Sequence, residues 1–172
     1  MAKITFVLGG ARSGKSSFAL KTALRCRGKT AFIATCQPLD PEMKKRIARH
    51  QRSRPKHWQT FEEPRDIGSL LKKIGAGFDT IVIDCLTLLI SNLMMDNQDE
   101  KTIEKKFKDV LNTLDKIKAQ TIIVSNEVGL GIVPANKLGR EFRDIAGRIN
   151  QMLAAKADNV FFLISGIPWK IK

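Results

Sequence analysis

Residues 9–16 read Gly9-Gly10-Ala11-Arg12-Ser13-Gly14-Lys15-Ser16, which satisfies the G-x-x-x-x-G-K-[ST] pattern of a phosphate-binding loop. Glycines reach φ > 0 and let backbone N–H groups close on phosphate oxygens. The N-terminus of the helix that follows adds a partial positive charge. Lys15 would reach the β- and γ-phosphates, and the Ser16 hydroxyl would ligate Mg²⁺. A chance match is expected in under roughly 1% of chains of this length at average composition. A second acidic partner follows the apolar run Thr80-Ile81-Val82-Ile83, where Asp84 can hold Mg²⁺ directly or through water. Its alternative role is to cap the next helix. The third reactive group is His50, in P-E-M-K-K-R-I-A-R-H-Q-R-S-R at 41–54. Helical spacing puts Met43, Ile47 and His50 on one face. Such a histidine is either a packed or capping residue or a nucleophile ringed by cations. Those cations would keep the ring neutral and would bind a triphosphate and its leaving pyrophosphate.

These groups need a scaffold, and the apolar pattern supplies one. Ile4–Leu8, Thr30–Thr35, Thr80–Leu86, Thr121–Ser125 and Val160–Ser165 are short, nearly continuous apolar runs, as expected of strands buried on both faces of a parallel sheet. Helix-period segments lie between them, at Ser16–Arg27, Glu42–Arg52, Arg65–Ile74, Thr102–Lys118 and Lys137–Ala157. The alternation predicts a doubly wound α/β fold with a mainly parallel sheet and helices on both faces, and together with the phosphate loop the expected class is P-loop NTPase-like (RecA-like). Pro168 suits an edge strand or turn, with Trp169–Lys172 as a short last strand. Ligands of such sheets bind at the carboxyl ends of the strands. No repeat, low-complexity tract or Gly/Ser linker divides the chain, so residues 1–172 read as one domain. The polar stretch at about 41–66, with both histidines, is an insertion longer than a crossover needs.

The chain has 172 residues, is 43% hydrophobic and 27% charged, and carries a net charge of +13. That composition excludes disordered and fibrous classes. No apolar run reaches the roughly 20 residues of a membrane span, and the start lacks a signal-peptide pattern. Three widely spaced cysteines, Cys26, Cys36 and Cys85, argue against a disulfide framework or zinc knuckle and fit a reducing, cytoplasmic setting. The charge is uneven: residues 1–60 hold +12 of the +13, and residues 61–100 carry −5. An anionic partner at the P-loop and the histidine helix accounts for that distribution better than a uniformly basic nucleic-acid surface does. With no Tyr and two Trp, a base-stacking groove has little support, and no nucleic-acid partner is expected.

Several stretches together resemble one family. They are G-G-A-R-S-G-K-S at 9–16, F-I-A-T at 32–35, L-D-P-E-M-K-K-R-I-A-R-H-Q at 39–51 and R-P-K-H-W-Q-T-F-E at 54–62. N-E-V-G-L-G-I-V-P at 126–134, F-R-D-I-A-G-R-I-N-Q at 142–151 and S-G-I-P-W-K-I-K at 165–172 complete the set. The ordered series is similar to the bifunctional adenosylcobinamide kinase/adenosylcobinamide-phosphate guanylyltransferase family of cobalamin biosynthesis, over essentially the whole chain.

The resemblance implies two reactions. A γ-phosphate passes from ATP or GTP to adenosylcobinamide, and GMP then passes from GTP through a covalent GMP-histidine at His50 to give adenosylcobinamide-GDP. It implies nucleotide contacts at Gly9, Gly10, Ala11, Arg12, Ser13, Gly14, Lys15 and Ser16, then at Ala34, Thr35 and Cys36. Further contacts are implied at Gln51, Arg52, Ser53, Arg54, Glu62 and Asp84, with Mg²⁺ at Ser16 and Asp84. Relatives can carry two adjacent histidines where this chain has Arg49-His50. His57 is structural or part of substrate binding, and the turn at 126–129 lines the substrate side. The partners implied are adenosylcobinamide, adenosylcobinamide-phosphate, GTP and ATP, with assembly as a homotrimer. Ile90, Leu93, Met94 and Met95 supply either that contact or core. Rival readings are a plain P-loop small-molecule kinase, a RecA-like nucleic-acid-associated ATPase and a non-catalytic nucleotide-binding module.

Overall fold

The computed structural model describes residues 3–38, 40–52 and 54–172, with Arg46 described only along its backbone. The elements in chain order are β1 (Ile4–Gly9), α1 (Lys15–Leu24), β2 (Thr30–Ala34), α2 (Pro41–Arg52), β3 (Gln59–Glu62) and α3 (Ile67–Ile74). There follow β4 (Thr80–Asp84), α4 (Leu86–Met95), α5 (Glu100–Leu114), β5 (Gln120–Val124), α6 (Lys137–Lys156), β6 (Asn159–Ile164) and β7 (Ile167–Lys170). They form one seven-stranded sheet in the order β3-β2-β4-β5-β1-β6-β7. All neighbours are parallel except the β6–β7 hairpin, which is antiparallel. β5 therefore lies between the phosphate-loop strand β1 and the Asp84 strand β4.

Strand side chains alternate between two cores, because successive Cβ atoms point to opposite faces. Ile4, Phe6, Ile33, Ile81, Ile83 and Ile123 face one layer, which is completed by α3, α4, α5 and α6. Val7, Phe32, Val82, Ile122 and Val124 face the other, against Ala19 and Ala23 of α1 and the indole of Trp58. Helices on both faces bury the central strands twice over, which is why those strands read as continuous apolar runs.

Helix starts are set by local capping. The Asp66 carboxylate accepts from Ser69 N at 3.0 Å, the Asp99 carboxylate from Thr102 N at 2.8 Å, and the Asn136 side chain from Gly139 N at 2.7 Å. Three elements differ from expectation, the first being the last strand, which spans Ile167–Lys170 and not Trp169–Lys172. The apolar run at 80–86 is a strand only to Asp84, and Leu86 opens α4. Ile90 and Leu93 are core, Met94 packs against it and Met95 is exposed. The 41–66 segment also contributes an edge strand, β3, paired to β2 with Phe32 opposite Thr60.

Candidate functional site

The loop between β1 and α1 has the strained geometry that its glycines permit. Gly9 has φ 151°, and a Cβ there would meet Leu163 O at 2.5 Å and Ser13 Oγ at 2.6 Å. Gly14, with φ 92°, takes the left-handed conformation that starts α1. Phe18 N donates to Gly14 O at 2.9 Å, so the helix begins directly at Lys15. Neighbouring strand ends brace the loop: Glu127 N donates to Gly9 O at 2.9 Å and Gly166 N to Ser13 O at 3.0 Å. Lys15 is buried, and its ammonium donates to Gly10 O at 2.5 Å and lies 3.5 Å from Ser13 Oγ.

Asp84 ends β4, and its carboxylate is hydrogen-bonded to the Ser16 hydroxyl. Burial pushes this carboxyl above the ordinary carboxylate range, while the Ser16 hydrogen bond and the charges of His50, Arg54 and Lys15 pull the other way. The peptide that follows is fixed by Thr35: its hydroxyl donates to Cys85 O at 2.6 Å and accepts from Cys85 N at 3.0 Å. Asn92, on α4, donates from Nδ2 to Thr35 O at 2.8 Å and to Pro64 O at 3.0 Å. These bonds join the ends of β2 and β4 to the helix layer and hold Asp84 in place.

α2 turns one face toward the phosphate loop. Met43, Ile47 and His50 all border the same cavity as Lys15, Ser16 and Asp84, as their helical spacing predicts. Gln51 Nε2 donates to Glu62 Oε1 at 3.1 Å, which ties the end of α2 to β3. Arg54 lies over the Phe32 ring, 3.7 Å from its centroid, and NH1 is 3.4 Å from Thr60 Oγ1. Burial lowers the Arg54 pKa from its usual value, opposed by the charges of Asp84 and Glu62.

The cavity these elements enclose has a volume of about 380 Å³, within the range of small-molecule sites. Of the residues expected to contact nucleotide, Ala11, Arg12, Ser13, Gly14, Lys15, Ser16, Ala34, Cys36, Gln51, Arg54, Glu62 and Asp84 border it, as does His50. Gly9 and Gly10 do not border it. Thr35 is fully buried, with its hydroxyl spent on Cys85, and Arg52 is exposed outside the cavity. Ser53 lies outside the described residues. His57 is exposed and does not border the cavity.

Other wall residues were not expected, among them Arg49, Leu88, Val124 and Cys85. Leu88 belongs to α4, whose helical register was hidden in an apolar run. Arg49 was visible only as one of several cations on α2. Asn126, in the turn expected on the substrate side, borders the cavity, and its Nδ2 donates to Thr87 Oγ1 at 3.1 Å. This arrangement can hold a triphosphate between backbone amides and cations. It also places the His50 imidazole at the same cavity.

The sequence profile of the cobinamide kinase / cobinamide phosphate guanyltransferase family matches residues 5–171. The bifunctional adenosylcobalamin biosynthesis protein CobU of Salmonella typhimurium is 42% identical over 178 residues, spanning 96% of this chain and 98% of that protein. The bifunctional adenosylcobalamin biosynthesis protein CobP of Pseudomonas aeruginosa is 38% identical over 166 residues, spanning 96% and 95%. Among solved structures, a KaiC-like protein of the archaeon Pyrococcus horikoshii superimposes with a TM-score of 0.55 at 15% identity, covering 93% of this chain and 70% of that one. At that identity the likeness concerns the fold alone, and it agrees with the mainly parallel sheet described above.

Proposed function

The chain belongs to the cobinamide kinase / cobinamide phosphate guanyltransferase family, and we propose that it performs both of that family's reactions in the single cavity between the phosphate loop and α2. The observation that carries this reading is that Lys15, Ser16, Asp84 and His50 border one space. A kinase alone has no need of a histidine there.

In the first reaction the hydroxyl of the aminopropanol arm of adenosylcobinamide attacks the γ-phosphorus of ATP or GTP; an O–P bond forms, the bond from the γ-phosphorus to the β–γ bridging oxygen breaks, ADP or GDP leaves, and the hydroxyl proton passes to solvent. The loop amides, the α1 N-terminus and Lys15 bind and orient the phosphates and offset their charge. Lys15 exchanges its bond to Gly10 O for a phosphate oxygen. The Ser16 hydroxyl and the Asp84 carboxylate, hydrogen-bonded to each other, form an oxygen pair that fits a hard cation. That is how Mg²⁺ is ordinarily bound, by one or two protein oxygens with substrate phosphates and water. Mg²⁺ held there would supply charge neutralisation to the phosphates.

In the second reaction a ring nitrogen of His50 attacks the α-phosphorus of GTP. A P–N bond forms, the bond from the α-phosphorus to the bridging oxygen breaks, and pyrophosphate leaves. A phosphate oxygen of adenosylcobinamide-phosphate then attacks the same phosphorus and the P–N bond breaks, giving adenosylcobinamide-GDP. The covalent stage divides one difficult transfer into two easier ones. Arg54, beside Asp84 and over Phe32, is placed to stabilise charge on the transferring group. No helix among the described residues is long and apolar enough to cross a membrane, and action in the cytoplasm as a homotrimer completes the reading.

Two variants separate the halves. His50→Ala is expected to keep kinase activity and lose guanylyl transfer, whereas Lys15→Ala loses the kinase. If His50→Ala forms adenosylcobinamide-GDP at the wild-type rate, the shared-cavity reading fails, because guanylyl transfer then runs without the imidazole at that cavity.

A further inference from the structure

Ten large hydrophobic side chains are exposed among the described residues, and eight of them lie in two segments, 130–138 and 164–171. In the first, Leu130 is 81% exposed, Ile132 96% and Val133 57%; in the second, Ile164 is 50% and Ile167 70% exposed. Such clustering is not the scatter of single apolar residues that ordinary surfaces show. Both segments are fastened to the phosphate loop. The first leaves β5 through Asn126, which borders the cavity, and Glu127, whose N–H donates to Gly9 O at 2.9 Å. The Glu127 carboxylate accepts from Gly129 N at 2.6 Å and closes the turn that presents Leu130. The second is the β6–β7 turn, where Gly166 N donates to Ser13 O at 3.0 Å.

β5 and β6 flank β1 on its two sides. At about 4.8 Å per strand spacing, their carboxyl ends stand roughly 10 Å apart, with the phosphate loop between them. The basic α2, with His50, joins the sheet on the other side, between β2 and the edge strand β3. The mouth of the site is therefore cationic toward β2 and β3 and apolar toward β5 and β6.

The acceptor in the proposed reactions is a corrinoid. It is a large macrocycle whose edge carries methyl groups between its amide arms, and its reacting hydroxyl sits at the end of a flexible arm. The cavity opens to solvent and must already take a nucleotide, so the bulky ring rests at its mouth while the arm enters. We infer that the apolar rim made by the 130–133 loop and the 164–167 turn receives the corrinoid ring, and directs its arm over the phosphate loop. This rests on the reading of the site given above. It adds a docking surface for the acceptor, on the side of the loop away from His50.

The test uses the full chain, with adenosylcobinamide as the probe. The Leu130→Ser/Ile132→Ser double variant and, on the opposite rim, Ile167→Ser are assayed for kinase KM toward adenosylcobinamide and toward ATP. Covalent labelling by α-labelled GTP and sedimentation behaviour are followed in parallel. Each apolar side chain removed from the rim should raise the KM for adenosylcobinamide about tenfold. The KM for ATP, the GMP label and the assembly state stay as in the wild type, and Ile132→Leu restores the affinity. Unchanged KM for adenosylcobinamide in both variants overturns the inference. So does a smaller sedimenting species whose acceptor KM is unchanged, or whose raised KM recovers at protein concentrations that restore assembly, since the rim is then a contact between copies of this chain. Should the double variant fail to fold, Ile167→Ser carries the same comparison. A wild-type protein that does not phosphorylate adenosylcobinamide at all would instead defeat the underlying function.

Discussion

Replacing Thr35 by Val tests whether this residue holds the site together or touches nucleotide. The side chain keeps its shape and loses only its hydroxyl. In the folded protein that hydroxyl is fully buried, donates to Cys85 O at 2.6 Å and accepts from Cys85 N at 3.0 Å. The carbonyl retains a second donor, because Leu89 N reaches Cys85 O at 3.3 Å. The loss there is one ordinary hydrogen bond, about 1 kcal/mol. The Cys85 N–H loses its hydroxyl acceptor in a buried setting, which costs about 1–3 kcal/mol. The sum is roughly 3 kcal/mol, which in a protein of this size lowers Tm by roughly 6–12 °C. Thr35→Ser keeps the hydroxyl and loses one methyl, worth about 1 kcal/mol. Thermal unfolding followed by circular dichroism compares the three proteins, and the KM for GTP is measured beside it. The expected order of Tm is wild type, then Ser, then Val, with the KM for GTP unchanged. A Val variant with wild-type Tm and a raised KM for GTP would refute the reasoning, because the hydroxyl would then serve the ligand and not the Cys85 peptide.

Other consequences follow from the charges and thiols. The Asp84 carboxyl has its folded pKa raised by burial, so the native state holds this proton more tightly than the unfolded chain. Its ionisation therefore costs stability as pH rises from the ordinary carboxylate pKa through the raised one, and costs fully above both. Asp84→Asn is expected to be more stable than wild type to urea at neutral pH, with the gap closing toward low pH, while kinase activity is lost; a less stable variant at neutral pH would contradict this. The Asp66 carboxyl is the opposite case, held below its usual range by the Ser69 backbone and hydroxyl. Its stabilisation is present at neutral pH and lost as pH falls, and Asp66→Ala should cost about 1 kcal/mol in a urea titration at neutral pH. Burial pushes the Cys85 thiol up to about 11, whereas Cys36 borders the cavity. Alkylation at mildly alkaline pH should modify Cys36 before Cys85, with GTP protecting Cys36, and peptide mapping that finds Cys85 modified first would count against this placement.

The parallel sheet was legible because its central strands are apolar on both faces, and a run such as Thr80-Ile81-Val82-Ile83 has few other uses. β3 was not, because three of its four residues are exposed and only Phe61 packs inward. An edge strand held by backbone bonds to β2 leaves no hydrophobic trace in Gln59-Thr60-Phe61-Glu62. α4 was hidden for the opposite reason. It follows β4 with only Cys85 between and is apolar on nearly every side, so neither period shows. At the site, the phosphate loop and Asp84 were legible from local pattern. The face shared by Met43, Ile47 and His50 was legible from helical spacing, and that face does turn to the cavity. The division between Ala34 and Cys36, which reach the cavity, and Thr35, which does not, was not legible, since it depends on where the Cys85 peptide lies across the sheet. The apolar rim was equally hidden, because Leu130 and Ile167 are brought to one phosphate loop only by the order of β5, β1 and β6.

His50 is proposed to carry GMP above the phosphate loop. The most direct measurement is tandem mass spectrometry of the wild-type protein after incubation with GTP and Mg²⁺, under conditions that preserve phosphoramidates. The expected result is a GMP adduct on the peptide containing His50, fragment ions that place it on the imidazole, and its disappearance when adenosylcobinamide-phosphate is added. A GMP adduct on another side chain, or formation of adenosylcobinamide-GDP with no adduct at any stage, would contradict it.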